Sequence, residues 1–417
     1  MRITIFSAYY PPQISSAAVR LKSIAEKAAA SDRVESVRVV AWNVRPFARA
    51  ADPEAPQNAK ITVARTEVPA AYKAMRVNDP NPFVYAKWMN LARHEIEERP
   101  FDLAYISSPP GVVAGSAEAC LDAGVPYALE WRDEWMGQLI SEMNSRMPIA
   151  RAATPLLGYV MRSKIARLVS GAEFVVAERE PIAVVLKSMG AREVLIVRNG
   201  VPAGDVREAS ASAKMSDLYK AVGIDVPENA VKIVYTGDLG VSYYSPQSFI
   251  HSYSKLQSSG TSITLTFFSG RPPADARTKD FIKCKNVLLL NVPNKTLLGL
   301  LASSDIGLYS MDFSDPQAMT AVGTKVFEYV CTGLPILAIT PKGSAIDRLI
   351  GELGCGWAVH SHDPSEVEAS WLKAVAEHRQ VKERQASRKE ELLARFDRSA
   401  QNEALLKRIL DVSVRRS

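Results

Sequence analysis

Lys325 and Glu328 stand three residues apart in GTKVFEYVCTGLPILAIT, residues 323–340. Three residues are close to one helical turn, so both side chains should lie on the same face of a helix. We predict that this helix has Thr324 as its N-cap and that it ends at Gly333, just before a Leu-Pro pair. The amides of its first turn, together with a lysine ammonium, suit a diphosphate. A carboxylate one turn further along can accept two hydrogen bonds from a ribose diol.

An i,i+3 ion pair on a surface helix would have the same spacing. The surrounding residues favour a helix that is held against a core, because we expect Phe327, Val330 and Cys331 to be buried. The segment also follows a predicted strand at 305–311, and ligands of open α/β sheets bind at the carboxyl ends of strands. We therefore predict an anion-binding pocket there.

A second polar loop, EWRDEW at 130–135, directly follows another apolar run. It holds three acidic residues, one arginine and two tryptophans. One interpretation is a salt-bridged loop in which Arg132 pairs with an acid. The other makes Asp133 a polar contact to a sugar or to an acceptor hydroxyl, with Trp131 and Trp135 as hydrophobic walls.

The loop at 7–20 follows the first predicted strand. Its double proline stiffens the turn, and Ser15 and Ser16 are small residues at a helix start. The exposed amides of such a start suit an anion, although the dinucleotide fingerprint GxGxxG is absent. An ordinary strand–helix turn is the alternative.

Three loops of the second half also follow predicted strands. In the loop at 235–247, Gly237 and Gly240 allow a close approach of backbone to ligand, and Asp238 either caps a turn or contacts the ligand. Each of the three is alternatively a plain turn. The two loops that together suit a slot for a flat base lie at 268–273 and 291–295.

The elements that must position these loops alternate along the chain. Short β-branched and aromatic runs alternate with amphipathic helical segments, which predicts parallel sheets covered by helices on both faces. We predict strands at 2–7, 34–42, 102–108, 125–131, 173–177, 193–198, 231–237, 262–270, 286–291, 305–311 and 335–340. We predict helices, among others, at 16–29, 85–98, 246–259, 294–303 and 363–378.

The fold class that follows is α/β, with two doubly wound, Rossmann-like domains that face each other across a cleft. A small, polar and weakly patterned segment predicts a linker at 203–226. The N-terminal domain would span 1–202 and the C-terminal domain 227–385. The charged helical tail at 386–417 is long enough to cross back to the first domain.

Composition limits the function classes. The 417 residues are 47% hydrophobic and carry a formal net charge of +6, which suits acidic small molecules or an anionic membrane and does not require nucleic acid. Four widely spaced cysteines without a CxxC predict reduced thiols in a cytoplasmic protein. The N-terminal run predicts a buried strand rather than a signal peptide, and no stretch reaches the roughly 18–20 apolar residues that span a bilayer.

Neither a metal nor another cofactor is expected. No DxD motif occurs, and no cluster of His, Cys or carboxylate residues has metal-ligand spacing. The five histidines are scattered, so no Ser-His-Asp arrangement is predicted. The charge of a bound phosphate would then be met by lysine, arginine and helix dipoles.

The chain resembles the family-four glycosyltransferases of the GT-B fold over almost its whole length. The matching pieces are, in order, SAYYPP, EWRDEW, VRNGV, YTGDLG, SSDIGLYSM and GTKVFEYVCTGLPILA. In the last piece, lysine-x-x-glutamate-tyrosine followed by Gly-x-Pro looks like one subgroup of the family. The resemblance implies a nucleotide-sugar donor in the second domain, an acceptor on the first, and retaining transfer without a metal.

The resemblance also implies roles for matching residues. Glu328 would bind the donor ribose, and Gly323, Thr324 and Lys325 would hold the diphosphate. Asp133 would lie near the transferred sugar or the acceptor hydroxyl, and it completes the predicted catalytic set with Lys325 and Glu328. The other predicted donor-binding residues are Ser15, Ser16, Gly237, Asp238, Gly240, Gly270, Arg271 and Val292, of which the last three frame the base; the acceptor-binding residues are Trp131, Arg132, Asp133 and Trp135.

Some positions depart from the family pattern. Thr320 stands where a second glutamate is often found, eight residues before the ribose-binding one. Asp238 and Leu239 replace the usual Arg and Lys, and Ser15 and Ser16 replace a glycine pair. Two alternatives to a transferase therefore stay open: a nucleotide-sugar epimerase on the same fold, and a non-catalytic scaffold.

Residues 143–167 are apolar and basic and contain no acid. Such a segment suits the surface of an anionic membrane, where it would meet a lipid-diphosphate-linked acceptor. The alternative is a helix packed on its own domain with solvated arginines. We thus expect a cytoplasmic transferase, peripheral on the inner membrane face, that transfers sugar to a saccharide or lipid-linked acceptor in surface polysaccharide or glycolipid synthesis.

Overall fold

The computed structural model describes residues 1–13, 16–43, 58–67, 82–108, 111–132, 154–211, 215–223, 226–227, 229–237, 248–250, 252–253, 262–269, 287–290, 292 and 294–414. The chain divides into two compact units. Unit 1 comprises Met1–Arg198 and Ser399–Ser417, and unit 2 comprises Asn199–Arg398. Each unit has its own parallel sheet, and the predicted α/β class with two Rossmann-like domains is confirmed.

Unit 1 contains a seven-stranded sheet. Its strands are β1 (Arg2–Ser7), β2 (Ser36–Trp42), β3 (Ile61–Thr66), β4 (Leu103–Ser108), β5 (Tyr127–Trp131), β6 (Phe174–Ala177) and β7 (Val194–Ile196). All pair in parallel, in the order β3-β2-β1-β4-β5-β6-β7. The α-helices that the structure describes before residue 190 are α1 (Ser16–Ala29), α2 (Pro82–Glu98), α3 (Gly115–Asp122), α4 (Thr154–Gly171) and α5 (Glu180–Ser188).

The sheet of unit 1 separates two apolar layers, since alternate residues of a strand point to opposite faces. Phe6 and Leu129 belong to one buried cluster, and Ile5 and Ala128 belong to the other. Both faces are covered, so the strands are hydrophobic runs, as doubly wound sheets require.

Unit 2 contains a six-stranded parallel sheet. Its strands are β8 (Val231–Thr236), β9 (Ile263–Phe268), β10 (Val287–Leu290), β11 (Ile306–Ser310), β12 (Ile336–Ile339) and β13 (Gly356–Val359). They lie in the order β10-β9-β8-β11-β12-β13. The described α-helices with full bounds between α5 and residue 353 include α6 (Ala203–Ala211), α7 (Met215–Ala221), α8 (Asn294–Ser303), α9 (Thr324–Thr332) and α10 (Ala345–Leu353).

The segment for which the sequence predicts a linker, 203–226, carries α6 and α7 and lies within unit 2. Its small residues are packing residues, because Ala203, Val206 and Ala209 are buried in the core of that unit. The polar composition that resembles a linker belongs to the outer faces of two short amphipathic helices.

We predict the C-terminal tail, 386–417, as one segment. In the structure its first part, up to Arg398, belongs to unit 2, and the rest belongs to unit 1. The tail follows α11 (Pro364–Ser387) with α12 (Lys389–Phe396) and α13 (Arg398–Val414). Leu405 and Ile409 of α13 are buried in the cluster that covers one face of the unit 1 sheet. Asn402 donates to Ser23 Oγ of α1 at 2.8 Å, so the helix is fixed to unit 1 by polar contacts as well.

Candidate functional site

The strand order of unit 2 reverses between β8 and β11, and ligands of doubly wound sheets bind at such a switch point. The two strands pair through Ile233 and Val234 and then separate. The hydroxyl of Tyr329, a residue of α9, lies in the gap between them. It accepts a hydrogen bond from the Thr236 backbone N–H at 2.8 Å and donates one to the Leu308 carbonyl at 3.4 Å. This tyrosine therefore takes the place of ladder hydrogen bonds and holds the crevice open.

Gly307 makes room for that tyrosine. A Cβ atom at Gly307 would lie 2.8 Å from Cδ2 of Tyr329, closer than real Cβ contacts come. The glycine in SSDIGLYSM is therefore a packing requirement of the crevice.

Lys325 occupies the crevice from the first turn of α9. The residue is only 7% exposed, and its Nζ lies 4.2 Å from the ring centroid of Tyr235 and 5.1 Å from that of Tyr309. These two tyrosines belong to β8 and β11, so the ammonium sits on the aromatic faces that flank the switch point, in cation–π geometry. Gly237 covers the same atom, since a Cβ there would lie 3.2 Å from Lys325 Nζ.

Burial lowers the pKa of Lys325 from 10.5 to about 7, although the Glu328 carboxylate acts in the opposite direction. Glu328 is partly buried one turn later, and burial raises the pKa of its carboxyl despite the positive charges of Arg398 and Lys325. Both residues are thus in an environment that disfavours their charged forms. A bound ligand with an anionic group beside Lys325 and hydroxyl donors on Glu328 would favour the charged forms of both.

The start of α9 differs from the prediction in one detail. Gly323, not Thr324, is the N-cap, with φ −66° and ψ 151°, because Thr324 already has helical geometry. A glycine cap offers no side-chain oxygen to the amides of the first turn, and this leaves the positive end of the helix open to an external acceptor. Gly333 ends the helix in the left-handed conformation at φ 76°, as predicted.

The predicted core of α9 is confirmed, since Phe327, Val330 and Cys331 are 5%, 1% and 0% exposed. The alternative of a surface ion pair at Lys325 is therefore wrong: the lysine is buried along with the helix face that carries it.

The other predicted donor residues are only partly described. Gly237 lies over Lys325, as stated above, and Ser16 is the first residue of α1. Val292 is half-buried and packs against the same core as α9. The predicted site residues that lie outside the described part of the chain are Ser15, Asp133, Trp135, Asp238, Gly240, Gly270 and Arg271.

At the carboxyl edge of the unit 1 sheet, Glu130 is completely buried. Its carboxylate accepts hydrogen bonds from Nε of Arg20 at 2.6 Å and from Oγ of Ser107 at 2.7 Å. The nearby guanidinium groups of Arg20 and Arg132 hold the pKa of Glu130 below its usual value even though burial raises it. The first of the three acids of EWRDEW, Glu130, is therefore paired with an arginine of α1. The predicted pairing of Arg132 with an acid is not among the hydrogen bonds of the described residues.

Trp131 lies on the opposite face of β5, where it is 5% exposed and belongs to the apolar core. Arg132 is 7% exposed, and its backbone N–H donates to the Ser108 carbonyl at 3.0 Å. The strand thus directs Glu130 and Arg132 to one face and the tryptophan to the other.

Sequence reasoning missed several residues of both edges. Arg20 ends the stretch 7–20, but the sequence predicts no role for it, because it lies within the predicted helix 16–29. Tyr235, Tyr309 and Tyr329 look like ordinary strand and helix residues. A usable signal was the pair Glu178-Arg179, because these charged residues directly follow the apolar strand β6 just as EWRDEW follows β5.

Within the described ranges, no group of three or more His, Cys, Asp or Glu residues lies together in a way that could hold a metal ion. None of the helices described is both long and apolar enough to cross a bilayer.

The described part of the basic segment 143–167 is helix α4. Lys164 Nζ lies 2.8 Å from a carboxylate oxygen of Glu118, and Arg167 lies 3.0 Å from one of Asp122, both on α3. The helix packs on unit 1 through residues such as Leu168, and two of its cations are paired with acids. Near its start, Tyr159 and Val160 are 70% and 53% exposed.

No protein-family model matches the sequence, and no curated protein matches it either. Solved structures do match over nearly the full chain. A glycosyltransferase from Rickettsia africae ESF-5 is 14% identical, with a TM-score of 0.65 and coverage of 99% of this chain and 98% of the other. HepE (Alr3699) of Anabaena, solved in complex with UDP, is 14% identical, with a TM-score of 0.61 and coverage of 98% and 99%.

A UDP-GlcNAc 2-epimerase from Neisseria meningitidis, solved with UDP-GlcNAc, is 11% identical. Its TM-score is 0.59, and the match covers 99% of this chain and 100% of that one. At these identities the likeness concerns the fold. The chain therefore has the GT-B fold of two Rossmann-like domains, a fold that glycosyltransferases and sugar-nucleotide epimerases share.

Proposed function

We propose that the protein is a glycosyltransferase that uses a nucleotide-sugar donor, with the donor's diphosphate at the start of α9. The observation that carries this proposal is the position of Lys325 Nζ on the rings of Tyr235 and Tyr309, beneath Gly237, at the switch point of the unit 2 sheet. A cation in that position, next to an uncapped helix start, is suited to a diphosphate.

In this proposal the diphosphate is the leaving group. As the bond to the sugar breaks, negative charge grows on the diphosphate, and the Lys325 ammonium and the first-turn amides of α9 stabilise it. The diphosphate in turn favours the protonated lysine, whose pKa burial lowers to about 7 in the free protein. Glu328, one turn further, accepts the two ribose hydroxyls.

The structural neighbours support a uridine nucleotide as the first donor to test. HepE was solved with UDP and the epimerase with UDP-GlcNAc. We further propose that transfer retains the anomeric configuration, needs no metal, and builds a surface polysaccharide or glycolipid.

We propose a saccharide or lipid-linked acceptor bound on unit 1, with peripheral association with the inner face of the cytoplasmic membrane. The exposed Tyr159 and Val160 at the start of α4, together with exposed Phe83 on α2, support a membrane-facing surface. Co-sedimentation with anionic liposomes at low and high salt tests this. Absence of binding at low salt would remove the membrane from the proposal.

Calorimetric titration with UDP, GDP and ADP tests the donor assignment. We expect binding of at least one of them, with Glu328→Ala weakening it, and we expect Lys325→Ala to lower kcat more than it raises KM with the matching nucleotide sugar. Full turnover of both variants would contradict the assignment.

An epimerase is the second candidate, because epimerases are among the structural neighbours. It would change the configuration of a sugar nucleotide without an acceptor, whereas a transferase releases nucleoside diphosphate only when acceptor is present, apart from slow hydrolysis. NMR of the sugar nucleotide incubated with the protein alone distinguishes the two.

A further inference from the structure

We propose that the carboxyl edge of the unit 1 sheet contains an oxyanion site, formed by Arg132 and Arg179, that binds a phosphate group of the acceptor. The identification of the ligand as an acceptor rests on the proposed transferase function. The oxyanion site itself rests on the unit 1 residues alone.

The two arginines follow the carboxyl ends of the neighbouring strands β5 and β6. Trp131 of β5 pairs in register with Ala177 of β6, so the next residues, Arg132 and Glu178, lie at the same level, and Arg179 follows. Adjacent strands are about 5 Å apart, so arginine side chains that start at two neighbouring strand ends are long enough to converge on one phosphate. Glu178 connects the two positions, since it lies level with Arg132 and accepts a hydrogen bond from Arg179.

The site belongs to a buried charge cluster of five residues. Arg20, Glu130, Arg132, Glu178 and Arg179 are at most 9% exposed. Glu130 is bound by Arg20, and Glu178 accepts a hydrogen bond from Arg179 Nη1 at 2.5 Å. Three cations therefore face two anions, and one buried positive charge is not balanced within the cluster.

The unbalanced charge coincides with unused donors. Among the described residues, Nε of Arg132 and both Nε and Nη2 of Arg179 have no hydrogen-bond partner, although they are buried. Leaving a charged donor unpaired in the interior costs free energy, so native structures pair such groups with protein, water or ligand. By contrast, Arg20 uses its guanidinium on Glu130 and on the carbonyls of Val197 and Arg198.

Two neutral polar side chains, Ser108 and Gln13, lie at the same carboxyl edge of the sheet. Oγ of Ser108 is buried and has no hydrogen-bond partner in the described part of the chain, and the carbonyl of the same residue accepts a hydrogen bond from the Arg132 backbone N–H. Both side-chain polar atoms of Gln13, which is 2% exposed in the loop after β1, also lack partners among the described residues. Arg179 is also the N-cap residue of α5, and its side chain makes no capping hydrogen bond. Because α5 begins directly after β6, the positive end of its dipole lies at the same edge of the sheet.

Hydroxyl, amide and two forked guanidinium groups are the donor set for a tetrahedral or planar oxyanion. A phosphate fits it best, because a phosphate offers three acceptor oxygens and up to two charges. A sugar carboxylate has the same hydrogen-bonding character with one charge, and the experiment separates the two.

The test is calorimetric titration of the whole protein with glucose 6-phosphate, glucuronate and glucose at constant ionic strength. Saturating UDP is present throughout so that the diphosphate site of unit 2 is filled. We expect glucose 6-phosphate to bind at least tenfold more tightly than glucose, and more tightly than glucuronate. If glucuronate binds more tightly than glucose 6-phosphate, the ligand is a carboxylate and the phosphate assignment is wrong.

Arg132→Gln and Arg179→Gln should each weaken the binding of glucose 6-phosphate about tenfold or more, since each removes charge-assisted hydrogen bonds. Both should leave the Kd for UDP within twofold. Arg99→Gln, at an exposed arginine just after the end of α2, is the matched control and should change the affinity for neither ligand. If a Gln variant does not fold, Arg132→Lys and Arg179→Lys retain the charge without the fork and should still weaken binding severalfold.

The oxyanion site is refuted if all three sugars bind the wild type equally or if the arginine variants bind glucose 6-phosphate as well as wild type does. Failure of the transferase proposal gives a different result. In that case UDP does not bind, or the nucleotide sugar changes configuration without an acceptor, while the phosphate preference and its loss in the arginine variants persist.

Discussion

Replacing Lys325 by methionine should stabilise the folded protein. The pKa of this lysine falls from 10.5 to about 7 on folding, mainly because its ammonium is buried. Burial disfavours the charged lysine, so the folded state is destabilised at any pH where the lysine is protonated in both states. Between the two pKa values the unfolded chain binds more protons, so stability rises with pH there. The penalty is therefore full below pH 7 and fades as the pH rises towards 10.5.

The size of the penalty follows from the shift. A change from 10.5 to about 7 corresponds to roughly 5 kcal/mol at 1.36 kcal/mol per pKa unit. The ammonium also gains about 1–2 kcal/mol from the rings of Tyr235 and Tyr309, a gain that methionine partly retains through packing. We therefore expect Lys325→Met to raise the free energy of unfolding by about 3 kcal/mol at pH 6.

Urea denaturation of wild type and Lys325→Met at pH 6 and at pH 9.5 measures this. At pH 9.5 only about 1.4 kcal/mol of the penalty remains, so the advantage of the variant should nearly vanish. Lys232→Met, at a lysine that is about a quarter exposed on β8, is the control and should give no comparable gain at pH 6. If Lys325→Met is destabilising at pH 6, or if its effect is the same at both pH values, the lysine is not held as described.

Three further outcomes follow from the same contacts. Glu328→Gln should weaken UDP binding about tenfold or more in calorimetry, because the neutral amide lacks the charge that strengthens hydrogen bonds to the ribose. Unchanged affinity would place the ribose elsewhere. Tyr329→Phe should lower the free energy of unfolding by about 1–3 kcal/mol in urea, since the Thr236 N–H loses its acceptor; a neutral effect would mean that water replaces the hydroxyl. Arg20→Gln should lower it by about 3–5 kcal/mol, since Glu130 would stay buried without its partner, and a loss under 1 kcal/mol would contradict the buried pair.

Much of the fold could be predicted because doubly wound sheets are buried on both faces. The strands β1, β4 and β11 coincide with the predicted runs to within one residue at each end. The helices α1 and α8 match the predicted bounds. Uninterrupted apolar runs are the strongest local signal, and central strands have them.

The strands that prediction missed lie at the edges of the sheets. β3 is the outermost strand of unit 1, and polar residues alternate along it because one face is partly exposed. β13 has only four residues and stands at the edge of unit 2. An edge strand has a neighbour on one side only, so its sequence is less constrained.

The candidate site was predictable in part. Lys325 and Glu328 stood out because charged residues interrupt a helix whose other positions are apolar. The aromatic support of the lysine could not be foreseen, since Tyr235 and Tyr309 lie on strands that are far apart in sequence and meet only at the switch point. The same holds for Arg20 and Glu130, which are 110 residues apart.

The most direct test of the account is a crystal structure of the protein with UDP. We predict the β-phosphate within about 3 Å of Lys325 Nζ, at the start of α9, with the ribose hydroxyls on the Glu328 carboxylate. UDP bound elsewhere, with Lys325 still packed on its two tyrosines, would contradict the central claim.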